Sequence, residues 1–224
     1  MILPGLGRLP APDPRDATYP LRTALVSAPT PVPRRWRWYA SMWWGNQLQT
    51  SQCVGYAWAH WLEDGPVAQP GIPPIVAPAD LYREAQLVDE WAGEDYDGTS
   101  VRAGAKVLKA MGFIQEYRWA TSLQDMIDAV KYVGPVVVGT NWYSNMFDYQ
   151  LVYPILSTID VSGSLAGGHA WVLNGVDDDR GVFRGKNSWG CVWGWGGSFL
   201  IDMEDVERLL NEDGEACIGL EIKH

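Results

Sequence analysis

Cys53, His169 and Asn187 have the residue types that thiol chemistry needs. A cysteine attacks as its thiolate, so it requires a base to take the proton and a neutral group to orient that base. His169 and Asn187 follow Cys53 by 116 and 134 residues, in Gly167-Gly-His-Ala170 and Gly185-Lys-Asn-Ser-Trp-Gly190. Small neighbours on both sides of His169 leave its ring open to approach. The Asn187 carboxamide would hydrogen-bond one ring nitrogen, fix the tautomer and aim the other nitrogen at sulfur without adding negative charge. Trp189 is placed to shield that bond from water. Gln47, six residues before Cys53, would form an oxyanion hole with the Cys53 N–H, a donor worth about 3 kcal/mol. Gln49 and Gln52 are rivals by composition alone. Each residue taken singly has a plainer reading: a buried small hydrophobe for Cys53, a core histidine, a turn asparagine, a surface glutamine. Their coincidence favours chemistry. His60 lies two turns beyond Cys53, out of reach of the helix start, and reads as structural.

The elements that must position these groups follow from periodicity. Val54, Ala57, Trp58 and Trp61 form one apolar stripe, so Cys53–Glu63 reads as a helix capped by Thr50 or Ser51 and ended by Gly65-Pro66. Cys53 then sits at a helix N-terminus, whose partial charge of roughly +0.5 favours thiolate. Helices are also expected over Asp80–Trp91, over Ser100–Met111 (capped by Thr99 or Ser100) and over Ser122–Val133 (capped by Ser122). The texture changes at Gly134-Pro135. Strands are expected at Val136–Val138, His169–Val176, Val182–Lys186, Gly197–Asp202 and Cys217–Ile222, with a short helix at Glu204–Leu210. A helical half (46–133) and a β half (134–224) would meet at a cleft, giving an α+β fold. Ahead of them, residues 1–45 form a Pro/Trp-rich arm. Eight of the fifteen prolines fall within residues 4–33, which rules out a long helix. The arm is expected to run extended over the surface, with strand-like pieces near Ala24–Ser27, and to dock through Trp36, Trp38, Trp43 and Trp44.

Composition bounds the function. At 224 residues and 47% hydrophobic, the chain is one domain with ample core, and thirteen Trp point to heavy aromatic packing. A net charge of −10 argues against nucleic-acid binding. Three cysteines are no disulfide framework; with Cys53 free, one Cys191–Cys217 bridge or a reducing compartment both fit. No Cys-x-x-Cys pair exists and His60, His169 and His224 are the only histidines, so neither a metal site nor a cofactor is expected. No signal peptide or membrane span is read, so a cytoplasmic protein, in a host cell if viral, is expected.

These motifs resemble the papain-like cysteine peptidases over Asn46 to about Ala59 and Gly167 to about Ile201, more weakly between, and again at Cys217-Ile-Gly-Leu220. Asn46-Gln47 matches the family's Asn-Gln, Cys53 its nucleophile, His169 its base and Asn187 its orienting residue. Lys186-Asn-Ser-Trp-Gly190, Trp193-Gly194 and Gly196-Gly197 match its Lys-Asn-Ser-Trp-Gly and following Trp-Gly and Gly positions. The resemblance implies two lobes, a helical left half and an antiparallel β-barrel-like right half, with the cleft between them. It implies hydrolysis of peptide bonds through an acyl-enzyme. It places Gly98 and Thr99 on the wall that touches the substrate backbone, and Gly168, Trp189 and Trp193 along the cleft. The family's Cys-Gly-Ser-Cys-Trp is Thr50-Ser-Gln-Cys-Val54 here, which suits a disulfide-poor bacterial or viral branch. The Pro-rich arm does not resemble the family's long helical propeptide, so synthesis in an already mature form is expected.

The reading is therefore a cysteine-type endopeptidase acting on peptides or proteins, with no nucleic-acid or membrane partner. Two alternatives stand beside it. One is a catalytically silent binding module on the same scaffold; the other is a thiol acyltransferase or deamidase using the same three residues.

Overall fold

The computed structural model describes residues 3–24, 34–38, 43–66, 74–93, 95–149 and 157–221. Among them, α1 (Cys53–Asp64), α2 (Pro78–Gln86) and α3 (Val101–Ala110) form the helical half. A seven-stranded antiparallel sheet forms the other half, with α4 (Leu123–Tyr132) and α5 (Met203–Asn211) packed against it. Its strands are β1 (Arg35–Arg37), β2 (Ile114–Trp119), β3 (Val136–Tyr143), β4 (Leu165–Asp177), β5 (Val182–Lys186), β6 (Ser198–Asp202) and β7 (Glu215–Glu221). They run in the order β2-β7-β3-β4-β5-β6, with β1 added against the end of β4.

Two hydrophobic cores meet at this sheet. One holds Trp142, Trp171, Trp189 and Phe199 with Met126 and Val130 of α4. The other gathers Cys53, Trp58 and Trp61 of α1 with Ala170 and Val172 of β4. The two tryptophans of the α1 stripe are fully buried and tie the helix to both halves: Trp58 Nε1 donates to the Val101 carbonyl at 3.0 Å and Trp61 Nε1 to that of Pro135 at 3.0 Å.

Several expectations are refined. The chain enters the β half at β2, before Gly134, because Ile114–Trp119 pairs with β7 and the apolar face of α4 is buried on the sheet. The second helix ends at Gln86 and not at Trp91, since Leu87, Val88 and Trp91 find no core and stay exposed. Ser100 and Ser122 cap α3 and α4 as expected, accepting from the Ala103 and Asp125 N–H groups. Neither Thr50 nor Ser51 caps α1; Gln52 stands at that position without a side-chain bond, and Thr50 Oγ1 donates to the Gln47 carbonyl instead. β4 begins four residues before His169. Cys191 is exposed and Cys217 buried, both unpaired, so no bridge joins them. Most of Ala24–Ser27 and the end of the last expected strand at Ile222 lie outside the described residues. Among the described residues no helix is long and apolar enough to cross a membrane.

Candidate active site

Cys53 is the first residue of α1 and has no solvent exposure. Burial pushes its thiol up to about 12, outweighing the pull of the backbone N–H groups of Ala170, Val54 and Cys53 itself and of the Arg8 charge. Two of those groups belong to the uncapped first turn, where free N–H groups favour an anion. The third belongs to the residue that follows His169. The sheet thus carries the histidine to the start of the cysteine helix.

His169 Nε2 lies 2.8 Å from Asn187 Oδ1, and the same oxygen accepts the Ser188 N–H at 2.8 Å. An oxygen already accepting one N–H is oriented as an acceptor, so the imidazole carries its proton on Nε2. Nδ1 is then the basic nitrogen, and it has no hydrogen-bond partner among the described residues. Burial lowers the ring's pKa from its ordinary 6.5 to about 4, with the Asn187 bond working in the opposite direction. Trp189 stacks on the ring at 4.9 Å and 28°, and Trp142 meets it edge-on at 4.8 Å. Trp189, expected along the cleft, is only 4% exposed and packs among Trp142, Phe147 and Trp193. It seals the His169–Asn187 bond as part of the β-half core. Trp193 is half-buried, with Nε1 donating to the Phe147 carbonyl at 2.9 Å. His60 is buried beside Trp43 and close to the Asn187 backbone, and burial holds its pKa well below the ordinary 6.5.

Gln47 is locked in place from several sides. Its N–H donates to the Ser188 carbonyl at 2.8 Å, its Oε1 accepts from Ser188 Oγ, and its Nε2 donates to the Thr50 carbonyl at 2.7 Å. The remaining Nε2 hydrogen goes to the carbonyl of Gly5 at 3.0 Å.

That last bond belongs to a segment absent from the expected site. Residues 5–9 of the arm, expected on the surface, run through the cleft. The Gly5 N–H donates to the Leu48 carbonyl at 2.8 Å; Gly7 and Arg8 N–H both donate to the Gly168 carbonyl at 3.0 Å. On the opposite wall the Thr99 N–H donates to the Gly7 carbonyl at 3.0 Å and the Leu9 N–H to that of Thr99 at 2.9 Å. Gly98, with φ +102°, leaves room for this strand: a Cβ there would stand 2.4 Å from the Gly7 oxygen. Gly98, Thr99 and Gly168 therefore hold an extended backbone, and here it is the chain's own. The arm reaches this depth because it lacks side chains at two points. A Cβ on Gly5 would lie 2.1 Å from the Thr50 oxygen, and one on Gly7 2.2 Å from the Ser51 oxygen. The Gly5-Leu-Gly7 spacing was the available sequence signal, but nothing local says where such a segment docks.

A second buried network braces the site from behind. Lys186, immediately before Asn187, is fully buried with Nζ 3.1 Å from both oxygens of Asp64 at the end of α1. Asn174 Nδ2 donates to Asp64 Oδ2 at 2.8 Å, and Arg184 to Asn174 Oδ1 at 2.7 Å. The strand bearing Asn187 is thereby tied to the cysteine helix. Among the described residues no cluster of His, Cys, Asp and Glu is arranged to hold a metal ion.

No family model and no curated protein matches this sequence. Solved structures do. Xylellain, a cysteine protease from Xylella fastidiosa, is 18% identical with a TM-score of 0.71, over 98% of this chain and 97% of that one. A digestive procathepsin from the larval midgut of Tenebrio molitor is 17% identical with a TM-score of 0.65, over 96% and 78%. A cysteine protease of Carica candamarcensis, in complex with E-64, is 16% identical with a TM-score of 0.59, over 86% and 100%. Helical half, antiparallel sheet and near-complete coverage agree: the chain has the fold of the papain-like cysteine proteases.

Proposed function

We propose that this chain is a cysteine peptidase held latent by its own N-terminal arm. The observation that carries the reading is the His169 Nε2–Asn187 Oδ1 bond of 2.8 Å, which leaves Nδ1 unprotonated and without a hydrogen-bond partner among the described residues. With substrate in place of the arm, Nδ1 takes the proton from Cys53 Sγ and the thiolate adds to the carbonyl carbon. The oxyanion is received by Gln47 Nε2 and the Cys53 N–H. His169 returns the proton to the departing amine as the C–N bond breaks, leaving a thioester. Water, deprotonated by His169, then attacks that thioester; the acid leaves and sulfur regains its proton.

The arm explains the state of the pair. A covered cleft disfavours charge on both groups, so thiol and imidazole are held neutral. Rehydration on arm release would restore the thiolate–imidazolium pair.

The test compares the chain carrying Gly7→Val, which unseats the arm, with the same chain carrying Cys53→Ala, using a fluorogenic peptide library and a peptidyl epoxide. Cleavage should vanish in Cys53→Ala, and the epoxide should label Cys53 while sparing exposed Cys191. Cleavage that survives the substitution would end the assignment. Transfer of the acyl group to an added amine, in preference to water, would favour the acyltransferase alternative.

A further inference from the structure

The arm carries one side chain into the protein at the cleft. Arg8 is only 3% exposed, and its guanidinium fills a closed pocket beside the peptide track. Nε is 3.1 Å from Glu215 Oε1, and Nη2 donates to the Asp213 carbonyl. The pocket is shaped for this group. Gly139 faces it on β3, where a Cβ would lie 2.9 Å from Arg8 Nε and 2.8 Å from Val101 Cγ2. Asp213 adopts φ +64°, unusual for a residue with a side chain, in the turn that presents its carbonyl. Burial pushes the Glu215 carboxyl up, and Arg8 is the largest influence pulling it back. An empty or apolar-filled pocket would leave that carboxyl without its charge partner.

The pocket also has a defined place on the track. Across the sheet, Ala170 of β4 is opposite Gly139 of β3, which is opposite Glu215 of β7. Two strand spacings separate Glu215 from the residue after His169, about 10 Å, or two to three residues of extended peptide. The backbone at Arg8 is held by Gly168 and Thr99, the same two walls that resemblance assigns to substrate.

We propose that Glu215, with the Asp213 carbonyl, forms a subsite that selects an arginine side chain in the substrate, and that Arg8 is the arm's stand-in for it. The proposal rests on the peptidase reading and names the substrate class: peptides with arginine two or three residues from the cleaved bond. Arginine suits the pocket better than lysine, because two separate N–H groups of the guanidinium reach two separate acceptors, which one ammonium on a flexible stem does not match. Leucine would leave both acceptors bare.

The experiment uses the full chain carrying Arg8→Ala, which vacates the pocket, and the same chain with Glu215→Gln added. Matched fluorogenic peptides place arginine, lysine or leucine at each position near the scissile bond in turn. At one position Arg8→Ala should favour arginine over leucine by at least about tenfold in kcat/KM, the scale expected when buried polar groups would otherwise lose partners. Lysine should fall between. Adding Glu215→Gln should collapse the arginine-to-leucine ratio of kcat/KM towards one. An arginine-to-leucine ratio indifferent to Glu215 would overturn the proposal. Binding gives an independent readout. The acetylated peptide Leu3–Pro12 should bind Arg8→Ala more tightly than its Arg8→Leu version, and Glu215→Gln should erase the difference; equal affinities would overturn the proposal without turnover being needed. If no peptide is cut and the epoxide leaves Cys53 unlabelled in every variant, the peptidase reading fails, while the binding comparison still judges the pocket. Should Arg8→Ala not fold, Glu215→Gln alone in the otherwise unaltered chain should speed Cys53 labelling by loosening the arm's anchor, and an unchanged rate would count against the pocket.

Discussion

Gln47 Nε2 donates to the carbonyl oxygen of Gly5 at 3.0 Å, so the group proposed to receive a substrate's oxyanion already holds a carbonyl of its own chain. The arm is seated by backbone contacts on both walls, and those contacts need glycine at two places. Gly7→Val puts carbon against the Ser51 carbonyl, which belongs to the rigid turn before α1 and cannot swing aside as a side chain would. The arm should leave the cleft. Peptide turnover and Cys53 labelling by a peptidyl epoxide should both rise by about tenfold or more, a shift of about 1.4 kcal/mol. Rates equal to those of the unaltered chain would show that the arm does not limit access.

Orientation of the base is separable from its presence. Asn187→Ala removes the acceptor that keeps the His169 proton on Nε2. The ring then samples the wrong tautomer, and the loss should fall on kcat, by about a hundredfold within the usual reach of acid–base catalysis, with KM little changed. Steady-state kinetics on the Gly7→Val background measures it. A loss confined to KM would place Asn187 in substrate binding.

The pH dependence of stability has two limbs with worked signs. His169 is lowered from 6.5 to about 4 in the covered cleft. Between those values the unfolded chain binds a proton that the folded chain refuses, so this contribution weakens as pH falls from 6.5 towards 4. Cys53 is raised from 9.0 to about 12. There the folded chain keeps a proton that the unfolded chain releases, so stability is lost as pH rises from 9 towards 12. Thermal midpoints across pH should show the acid limb flattened in His169→Gln and the alkaline limb flattened in Cys53→Ala. Difference curves without slope in those windows would refute the desolvation account.

The Lys186–Asp64 pair should matter more to stability than any exposed ion pair of the molecule. Asp64→Ala leaves a fully buried ammonium facing the space its partner vacated. Loss of one member of a buried pair costs about 3–5 kcal/mol, and urea unfolding reads it directly. The paired change Asp64→Leu with Lys186→Met should recover much of that loss, since no uncompensated charge remains. An exposed pair such as Arg83–Asp80 should contribute less than about 1 kcal/mol when broken.

Much of the local structure around the proposed site was legible in the sequence. Helix periodicity put Cys53 at the start of α1 because its stripe of Val54, Ala57, Trp58 and Trp61 is a local pattern. Ser100 and Ser122 announced their helices because caps are made with residues three positions away. The cap of α1 was misread because Thr50 Oγ1 found the Gln47 carbonyl, a partner outside the helix. Trp189 reads both as a shield over the His169–Asn187 bond and as a cleft residue, because no local rule distinguishes an indole that lines a groove from one that backs an imidazole; its burial and stacking on His169 favour the first.

Residue types and spacings alone singled out the proposed nucleophile, base, orienting amide and oxyanion donor, together with most of the helices and strands, since each is written in short motifs or in one element's periodicity. Tertiary structure alone decided where the arm goes. Its N–H groups are satisfied by Gly168, Thr99 and Leu48, residues with no pattern linking them to Gly5 or Gly7. The Arg8–Glu215 contact spans 207 residues and exists only because β7 enters the sheet beside β3. A segment whose hydrogen bonds all go elsewhere carries no periodicity of its own, and its position is settled by the cleft it fills.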